Sequence, residues 1–213
     1  RLDSTVRIVE AICEAEARPS VFVCASAVGY FGPREPDELL DELSAPGDGF
    51  LADLTTKWEA ASAGATACGA RVVNVRFGIV LGKDGGALPE MARPFRLFAG
   101  GPIGSGNQIV SWIHIADAVS VVMLAIDDAR VSGPVNTVAP NPVSNRELAR
   151  GIGRALSRPS WLPVPAPPLA LLLRKEGALP VLTGQRVVPR VLSELGFRFQ
   201  HPELESALAE ALG

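Results

Sequence analysis

The chain has 213 residues, of which 47% are hydrophobic and 20% charged, and its formal net charge is −3. This composition predicts a compact globular domain with a sizeable core, and the acidic balance excludes nucleic acid and anionic membrane surfaces as partners because no basic face is available to neutralise phosphates. No apolar run approaches the ~20 residues that a membrane-spanning helix needs, and the first residues lack the pattern of a signal peptide.

The first part of the chain alternates predicted helices and strands. Apolar residues at three- and four-residue spacing predict helices over residues 3–18 and 51–68. Continuous apolar, β-branched runs predict buried strands over residues 21–26 and 72–77. The order helix, strand, helix, strand predicts a parallel sheet with right-handed crossovers.

Residues 30–48 separate the first strand from the second helix. They are rich in Pro, Gly, Asp and Glu, which predicts a surface loop. The acidic residues of this segment, Asp37, Glu38, Asp41 and Glu42, are interpreted as a solvated run of charges.

The middle of the chain is rich in glycine. The densest run, Gly100–Gly106, fits neither the Rossmann fingerprint nor a P-loop, so it is interpreted as a tight, mobile loop. A strand is predicted over residues 109–115. The helix predicted after it, over residues 116–127, should turn four apolar side chains inward: Val119, Val122, Met123 and Ile126.

The last part of the chain predicts a small, mainly helical lobe. A strand over residues 134–138 is followed by Ser144 and Glu147, which form a capping box for a helix. Closely spaced prolines, Pro159, Pro163, Pro165, Pro167 and Pro168, predict a stiff connector. Helices are then predicted over residues 169–174, 189–196 and 202–212. We therefore expect two domains, residues 1–141 and 142–213.

The three cysteines, Cys13, Cys24 and Cys68, have no spacing typical of a metal site, and no metal site is predicted. Any disulfide would leave an odd thiol. We therefore interpret all three as buried, reduced side chains, and we expect the protein in the cytoplasm.

Two side chains at the end of the first strand are candidates for chemistry. Ser26 can donate a hydrogen bond to a substrate oxygen, and Tyr30 can act as an acid or base if a cation lowers its pKa. Judged on the residues alone, catalysis and simple packing are equally good interpretations of both. For His114 a structural role beside Asp117 is favoured over catalysis, and His201 is expected at the surface.

Several stretches carry a family resemblance: Cys24-Ala25-Ser26-Ala27-Val28-Gly29-Tyr30-Phe31-Gly32, Lys57-Trp58-Glu59-Ala60-Ala61, Gly104-Ser105-Gly106-Asn107-Gln108 with Ser111-Trp112-Ile113-His114-Ile115, and Leu195-Gly196-Phe197-Arg198-Phe199. Together they resemble the atypical extended short-chain dehydrogenase/reductase proteins called epimerase family proteins. The resemblance covers essentially the whole chain.

The resemblance implies an α/β fold: a Rossmann-like parallel sheet, the C-terminal portion of an extended short-chain dehydrogenase/reductase, with a small, mainly helical C-terminal lobe. It implies NAD(P) as the cofactor, with NADP favoured. The implied activity is that of an epimerase/dehydratase-type oxidoreductase on a small-molecule substrate, nucleotide-sugar-like compounds included. A homodimer is left open.

The resemblance also assigns residues to roles. Ser26 matches the catalytic serine, and Tyr30 becomes a wall of the substrate site. The remaining implied contacts are Ala25, Arg76, Phe77 and Gly78 for the cofactor, and Trp112 and His114 for the substrate.

Three departures from the family pattern leave an alternative function. The glycine fingerprint is absent, so the family's domain is expected to begin upstream of Arg1. The helix that should carry Tyr-x-x-x-Lys has no tyrosine, and its only lysine is Lys57. Val110 stands where an arginine often clamps a nucleotide-sugar diphosphate. The alternatives are therefore a non-catalytic NAD(P)-binding sensor or scaffold, or an interaction protein that binds no nucleotide.

Overall fold

A computed structural model describes residues 1–163 and 183–213. Short 3₁₀ helices over Val28–Phe31 and Gly64–Cys68 accompany the regular elements. In chain order these are α1 (Leu2–Glu14), β1 (Val21–Ala27), β2 (Leu39–Leu40), α2 (Phe50–Ala63), β3 (Arg71–Phe77), β4 (Ile79–Leu81), α3 (Ala87–Arg96), β5 (Ile109–Val110), β6 (Trp112–His114), α4 (Ile115–Asp127), β7 (Gly133–Thr137), β8 (Val143–Ser144), α5 (Asn145–Ala155), β9 (Arg186–Val187), α6 (Arg190–Glu194) and α7 (Leu204–Leu212).

A parallel sheet forms the centre of the fold, as predicted. Its strands lie in the order β1, β3, β7, and the register places Ser26 beside Arg76 and Arg76 beside Asn136. The apolar, β-branched runs form these strands because both sheet faces are covered by helices. The α/β fold class is confirmed.

Each face of the sheet has its own core. On one face Phe22 and Val72 pack with Ile12 of α1, and on the other Val73 and Val75 pack against α4. Because successive side chains of a strand point to opposite faces of the sheet, successive residues of β1 and of β3 pack alternately into one core and the other. The sheet is therefore a buried layer that presents only its strand ends to a ligand.

The chain bends away from the central sheet directly after β3. Gly78 links β3 to β4, and β4 pairs in parallel with β6. A Cβ atom at Gly78 would lie 2.5 Å from the carbonyl oxygen of Ser111. Glycine is therefore required here, and its close approach brings the carboxyl end of β3 next to β6.

The inward face of α4 differs from the prediction. Val119, Met123 and Ile126 are 54%, 49% and 44% exposed, whereas the buried residues of the helix are Asp117, Ala118, Val121 and Ala125. Small residues on the buried side bring the helix close to the sheet. The helix is apolar on most of its surface, so its composition alone did not reveal which side faces the core.

The predicted surface loop over residues 30–48 is partly buried. Leu40 belongs to β2, which pairs with β9, and its side chain is almost fully buried. Glu42 is also buried: it accepts hydrogen bonds from the backbone N–H groups of Asn136, Arg190 and Val191 at 2.9, 3.2 and 3.3 Å. The prediction that Glu42 is solvated is therefore wrong, because this carboxylate joins β7 to the start of α6.

The prediction of three reduced cysteines is also wrong. Cys13 and Cys68 form a disulfide with a Cα–Cα distance of 5.2 Å, which links α1 to the 3₁₀ helix that follows α2. Cys24 is free and buried. The two paired cysteines are 55 residues apart in sequence, and only the packing of α1 against that 3₁₀ helix brings them together.

Several smaller expectations can be compared directly. The strand predicted over residues 109–115 is divided into β5 and β6 at Ser111, and the capping box of Ser144 and Glu147 is present at α5. Pro165, Pro167, Pro168 and the helix predicted over residues 169–174 lie outside the described residues. The domain boundary at residue 142 stays a prediction. Within residues 1–163 and 183–213, none of the helices has the length and apolar character needed to cross a membrane.

Candidate functional site

A cavity of about 420 Å³ opens at the carboxyl ends of β1 and β3. In open α/β sheets, ligands bind at this edge, and a volume of this size is typical of small-molecule sites. The described lining residues are Ala27, Val28, Gly29, Leu51, Thr55, Phe77, Gly78, Ile79, Ala87, Met91, Ile103, Gln108, Ile109, Val110, Ser111, Asn145, Leu148, Thr183 and Gln185.

The helix α2 forms one wall of the cavity with Leu51 and Thr55. These positions are four residues apart, which is the spacing of the Tyr-x-x-x-Lys pair that the resemblance led us to seek on this helix. The Thr55 hydroxyl donates to the Leu51 carbonyl oxygen at 2.7 Å. This wall therefore offers a methyl-bearing surface, with no phenol and no ammonium group.

Ser26 is not among the lining residues of the cavity, although Ala27, the next residue of β1, is one of them, and the Ser26 side chain is bound to a buried ion pair. Its Oγ donates to Glu59 Oε1 at 2.6 Å. The Arg76 guanidinium donates through Nε and NH2 to the two Glu59 oxygens, both at 2.8 Å. The Ser26 and Arg76 side chains face α2 from neighbouring strands, so the three groups form one network between the sheet and that helix.

Tyr30 packs against this network. Its ring centroid lies 3.5 Å from Cζ of Arg76, a cation–π contact. Arg76 NH1 is buried without a hydrogen-bond partner, and so is Oδ1 of Asn136, the residue beside it in β7. One is a donor and the other an acceptor, which is the pair of groups that an internal water can bridge.

Trp112 and His114 are buried and are not among the lining residues of the cavity. The Trp112 indole N–H donates to the Asn141 carbonyl oxygen at 3.0 Å, and its ring belongs to a core with Leu88 and Leu148. His114 is the N-cap of α4, where its Nδ1 accepts from the Ala116 N–H at 3.3 Å.

His201 is not at the surface as predicted but packs against His114. The ring centroids are 4.1 Å apart, and His201 Nε2 lies 3.0 Å from Glu210 Oε2. The Asp117 carboxylate positions His201 by accepting the backbone N–H groups of Gln200 and His201 at 2.7 and 3.0 Å. Burial and the neighbouring His201 lower the pKa of His114, against smaller opposing effects of Glu210 and Asp117.

The side chains of His114, His201 and Glu210 have the composition of a metal site, with ligand atoms all within 4.8 Å of one another. A metal-bound imidazole normally donates its other ring N–H. His114 Nδ1 instead accepts a backbone N–H, so the neutral ring carries its proton on Nε2. The tautomer implied by this hydrogen bond therefore favours a helix cap over a metal ligand.

The structure thus separates the residues assigned to the site. Phe77 and Gly78 line the cavity, whereas Ala25 is exposed elsewhere on β1 and Arg76 is paired with Glu59. Sequence reasoning gave Glu59 no role, although it lies in the Lys57-Trp58-Glu59 stretch that carries part of the resemblance. An acidic residue on the helix face that meets a strand containing arginine was the available signal.

Two families of known proteins match the chain. Residues 1–138 match the NAD-dependent epimerase/dehydratase family, and residues 164–211 match a domain of unknown function, DUF1731. These matches confirm the resemblance that the motifs indicated.

Longer relatives match along almost the whole chain. It is 46% identical over 210 residues to the chloroplastic homolog of epimerase family protein SDR39U1 of Arabidopsis thaliana, covering 98% of this chain and 60% of that protein. It is 42% identical over 214 residues to epimerase family protein SDR39U1 of Bos taurus, covering 100% of this chain and 72% of that protein. The crystal structure of human epimerase family protein SDR39U1 (isoform 2) with NADPH has a TM-score of 0.92 at 38% identity, over 99% of this chain and 71% of that one.

Proposed function

The chain belongs to the NAD-dependent epimerase/dehydratase family, and we propose that it forms the substrate-binding part of an NAD(P)-dependent epimerase/dehydratase-type oxidoreductase. The substrate class is a small carbonyl compound or the corresponding alcohol. The observation that carries this proposal is a cavity at the carboxyl ends of β1 and β3, lined by Ala27, the residue that follows Ser26 in β1. Because this chain spans 60% of the Arabidopsis relative, the activity is proposed for the full-length protein.

The cavity has the chemistry that the nicotinamide end of the cofactor requires. Val28, Phe77 and Ile79 would provide apolar walls for a flat ring, and Gly78 also lines this part of the cavity. The prediction of NAD(P) is confirmed at the level of the family, whose description names NAD, and the human relative's structure was determined with NADPH. When bound, the nicotinamide supplies or accepts the hydride.

Ser26 is the acid–base group in this proposal. Because its Oγ donates to Glu59 at 2.6 Å, Ser26 can take a proton from a substrate hydroxyl while its own proton moves to Glu59. The same transfers run backwards when a carbonyl group is reduced. Arg76 orients Glu59 by binding both of its oxygens. Ser26 and Glu59 therefore take the place of the Tyr-x-x-x-Lys pair, whose tyrosine α2 lacks.

The test is NADPH turnover by the full-length protein with a panel of aldehydes and ketones. Removing a general acid–base group typically costs about 10²–10⁴-fold in rate, so we expect Ser26→Ala to lower kcat by about 100-fold or more while NADPH affinity stays unchanged. Ser206→Ala is the matched control. The Ser206 hydroxyl is exposed and donates only to the carbonyl oxygen of Glu203, the residue before α7. Wild-type turnover by Ser26→Ala would remove Ser26 from the mechanism.

A second candidate is a non-catalytic NAD(P)-binding sensor or scaffold. Leu51 and Thr55 favour it, because they give the cavity wall no titratable group at the spacing of the usual proton relay. This candidate predicts tight NADPH binding, measured by calorimetry, with no oxidation of NADPH across the same panel. Robust turnover with any member of the panel excludes it.

The cytoplasmic location and the homodimer stay predictions. The assignment of Tyr30, Trp112 and His114 to the substrate side also stays a prediction, and none of the three is among the described lining residues of the cavity. One relative is named as chloroplastic, so members of this family are not confined to one compartment.

A further inference from the structure

We propose that the cavity selects an uncharged, mainly apolar carbonyl compound or alcohol and rejects nucleotide-diphosphate sugars. The reaction of such a compound rests on the proposed function, whereas its selective binding does not. Among the described lining residues there is no Asp, Glu, Lys, Arg or His. The walls are instead aliphatic and aromatic, with Met91, Leu148 and Phe77 among them. An anion moved into such surroundings loses its hydration and gains no countercharge, which is strongly unfavourable.

The polar side chains of the lining are already committed to the protein backbone. Gln185 Nε2 donates to the Gly32 carbonyl oxygen at 2.8 Å, and Ser111 Oγ donates to the Gln185 carbonyl oxygen at 2.8 Å. Asn145 Oδ1 accepts from the Ile103 N–H at 2.7 Å. These groups hold the cavity's shape, and their remaining hydrogen-bonding capacity suits one or two neutral oxygens of a ligand.

A polar groove next to the cavity offers no substitute for a phosphate site. Its described ionisable residues are Arg34, Glu35 and Glu38, so the acidic groups outnumber the single cation. The Arg34 guanidinium donates hydrogen bonds to the Glu38 carboxylate at 3.0 Å and to the carbonyl oxygens of Phe31 and Ala45 at 2.9 and 3.0 Å. The one cation among the described lining residues of the groove is therefore already bonded through all three of its guanidinium nitrogens.

Two arginines reach residues of the groove, and both are bound to carbonyl oxygens. Arg146 donates to Ser105 at 2.6 Å, and Arg186 donates to Pro36 at 2.8 Å. Each of these bonds uses one nitrogen of a guanidinium that has five N–H donors. Neither arginine is among the described lining residues of the cavity, so both leave its uncharged character unchanged.

Val110 is the lining residue at which charge selection can be tested. It lies in β5, it is partly buried, and its side chain faces the cavity where the family resemblance places a phosphate-binding arginine. An arginine here would place a cation in an otherwise uncharged lining. A single substitution at residue 110 can therefore test whether the absence of charge in the lining determines which ligands the cavity binds.

The experiment compares three probes on the full-length protein saturated with NADPH: 2-acetylnaphthalene, 2-naphthoate and UDP-glucose. The first two differ mainly in that one is neutral and the other anionic. We expect the ketone to bind in calorimetry at least 100-fold more tightly than the carboxylate, with no measurable binding of UDP-glucose. Binding of UDP-glucose or 2-naphthoate as tight as that of the ketone would overturn the inference, and so would failure of the ketone to bind.

Val110→Arg should reverse this selection, weakening the ketone at least tenfold and introducing measurable affinity for 2-naphthoate. Val119→Arg makes the same change at an exposed position of α4 outside the cavity and should bind all three probes like the wild type. Met91→Lys provides a second charged lining, with a flexible side chain that the fold accommodates easily. Unchanged selection in both lining variants would overturn the inference.

Binding and turnover distinguish the two proposals. If the ketone binds selectively but is not reduced, the inference stands and the proposed oxidoreductase activity fails. If UDP-glucose is bound and converted with NADPH, the proposed activity stands and the inference fails.

Discussion

His114 shows how a single side chain can make folding depend on pH. It is buried at the N-cap of α4 and faces His201, with Glu210 and Asp117 as the nearby carboxylates. Burial and His201 lower its pKa from the ordinary 6.5. The unfolded chain therefore binds more protons than the folded protein in the interval between the lowered pKa and 6.5.

We predict that His114 makes the protein less stable as the pH falls from 7.5 to 5.5. Its contribution is fully present above its unfolded pKa and is lost as the pH falls through that value, with about 1.4 kcal/mol for each tenfold difference in proton affinity. The measurement is the free energy of urea unfolding at both pH values. His114→Asn keeps a capping acceptor and should lose less stability over the same interval.

His201→Asn is the companion variant, because it removes one of the two causes that lower the pKa of His114. It should show a pH dependence between those of the wild type and His114→Asn. Identical pH dependence in all three proteins would show that His114 is not the responsible group.

At the scale of elements, one carboxylate joins three segments of the chain. Glu42 follows β2 and accepts N–H groups from β7 and from the start of α6. Burial raises the pKa of Glu42, and these hydrogen bonds partly oppose that effect. The acidic run therefore contains one buried structural residue, Glu42, and a second bonded carboxylate, Asp41, which accepts the backbone N–H groups of Leu43 and Ser44.

We predict that Glu42→Ala lowers the free energy of unfolding by about 2–4 kcal/mol. The buried N–H of Asn136 left without a partner costs about 1–3 kcal/mol, and the N–H groups of Arg190 and Val191, which are not fully buried, add a smaller cost. Glu38→Ala is the matched control from the same run. Its partly exposed pair with Arg34 is worth about 0–1 kcal/mol. The measurement is denaturant unfolding at pH 7, and equal losses in the two variants would contradict the role assigned to Glu42.

At the scale of the whole molecule, the disulfide closes a long segment of chain. Cys13 and Cys68 are separated by 55 residues in sequence. The segment between them contains the end of α1, β1, α2 and the loop that joins β1 to α2. Closing a loop of this length restricts the unfolded chain and stabilises the fold by up to about 4 kcal/mol. The cross-link also fastens α1 to the region that carries the cavity wall.

We predict one free thiol in the denatured, unreduced protein, that of Cys24, as measured by reaction with a thiol reagent. Cys24→Ala should show none. The pair Cys13→Ser and Cys68→Ser should lower the free energy of unfolding by about 2–4 kcal/mol. Three reactive thiols in the unreduced wild type would contradict the cross-link.

Local patterns in the sequence are enough for the fold class and for part of the site. Apolar strands alternating with amphipathic helices predict a parallel sheet, and the carboxyl ends of those strands mark where a ligand binds. The family resemblance assigned Phe77 and Gly78 to the cofactor at this edge, and both residues line the cavity. The capping box of Ser144 and Glu147 is equally local, since both partners lie within one turn of helix.

Contacts between distant residues were decided by the tertiary structure alone. Ser26 meets Glu59, Glu42 meets Asn136, and Cys13 meets Cys68 only after the sheet has brought their segments together. The same packing partly buries His201 against His114 and leaves the described lining of the cavity without charge. Periodicity reports what a residue's neighbours in sequence require, whereas hydrogen bonds and charge pairing depend on which groups meet in space, and that is determined by the packing of the whole chain.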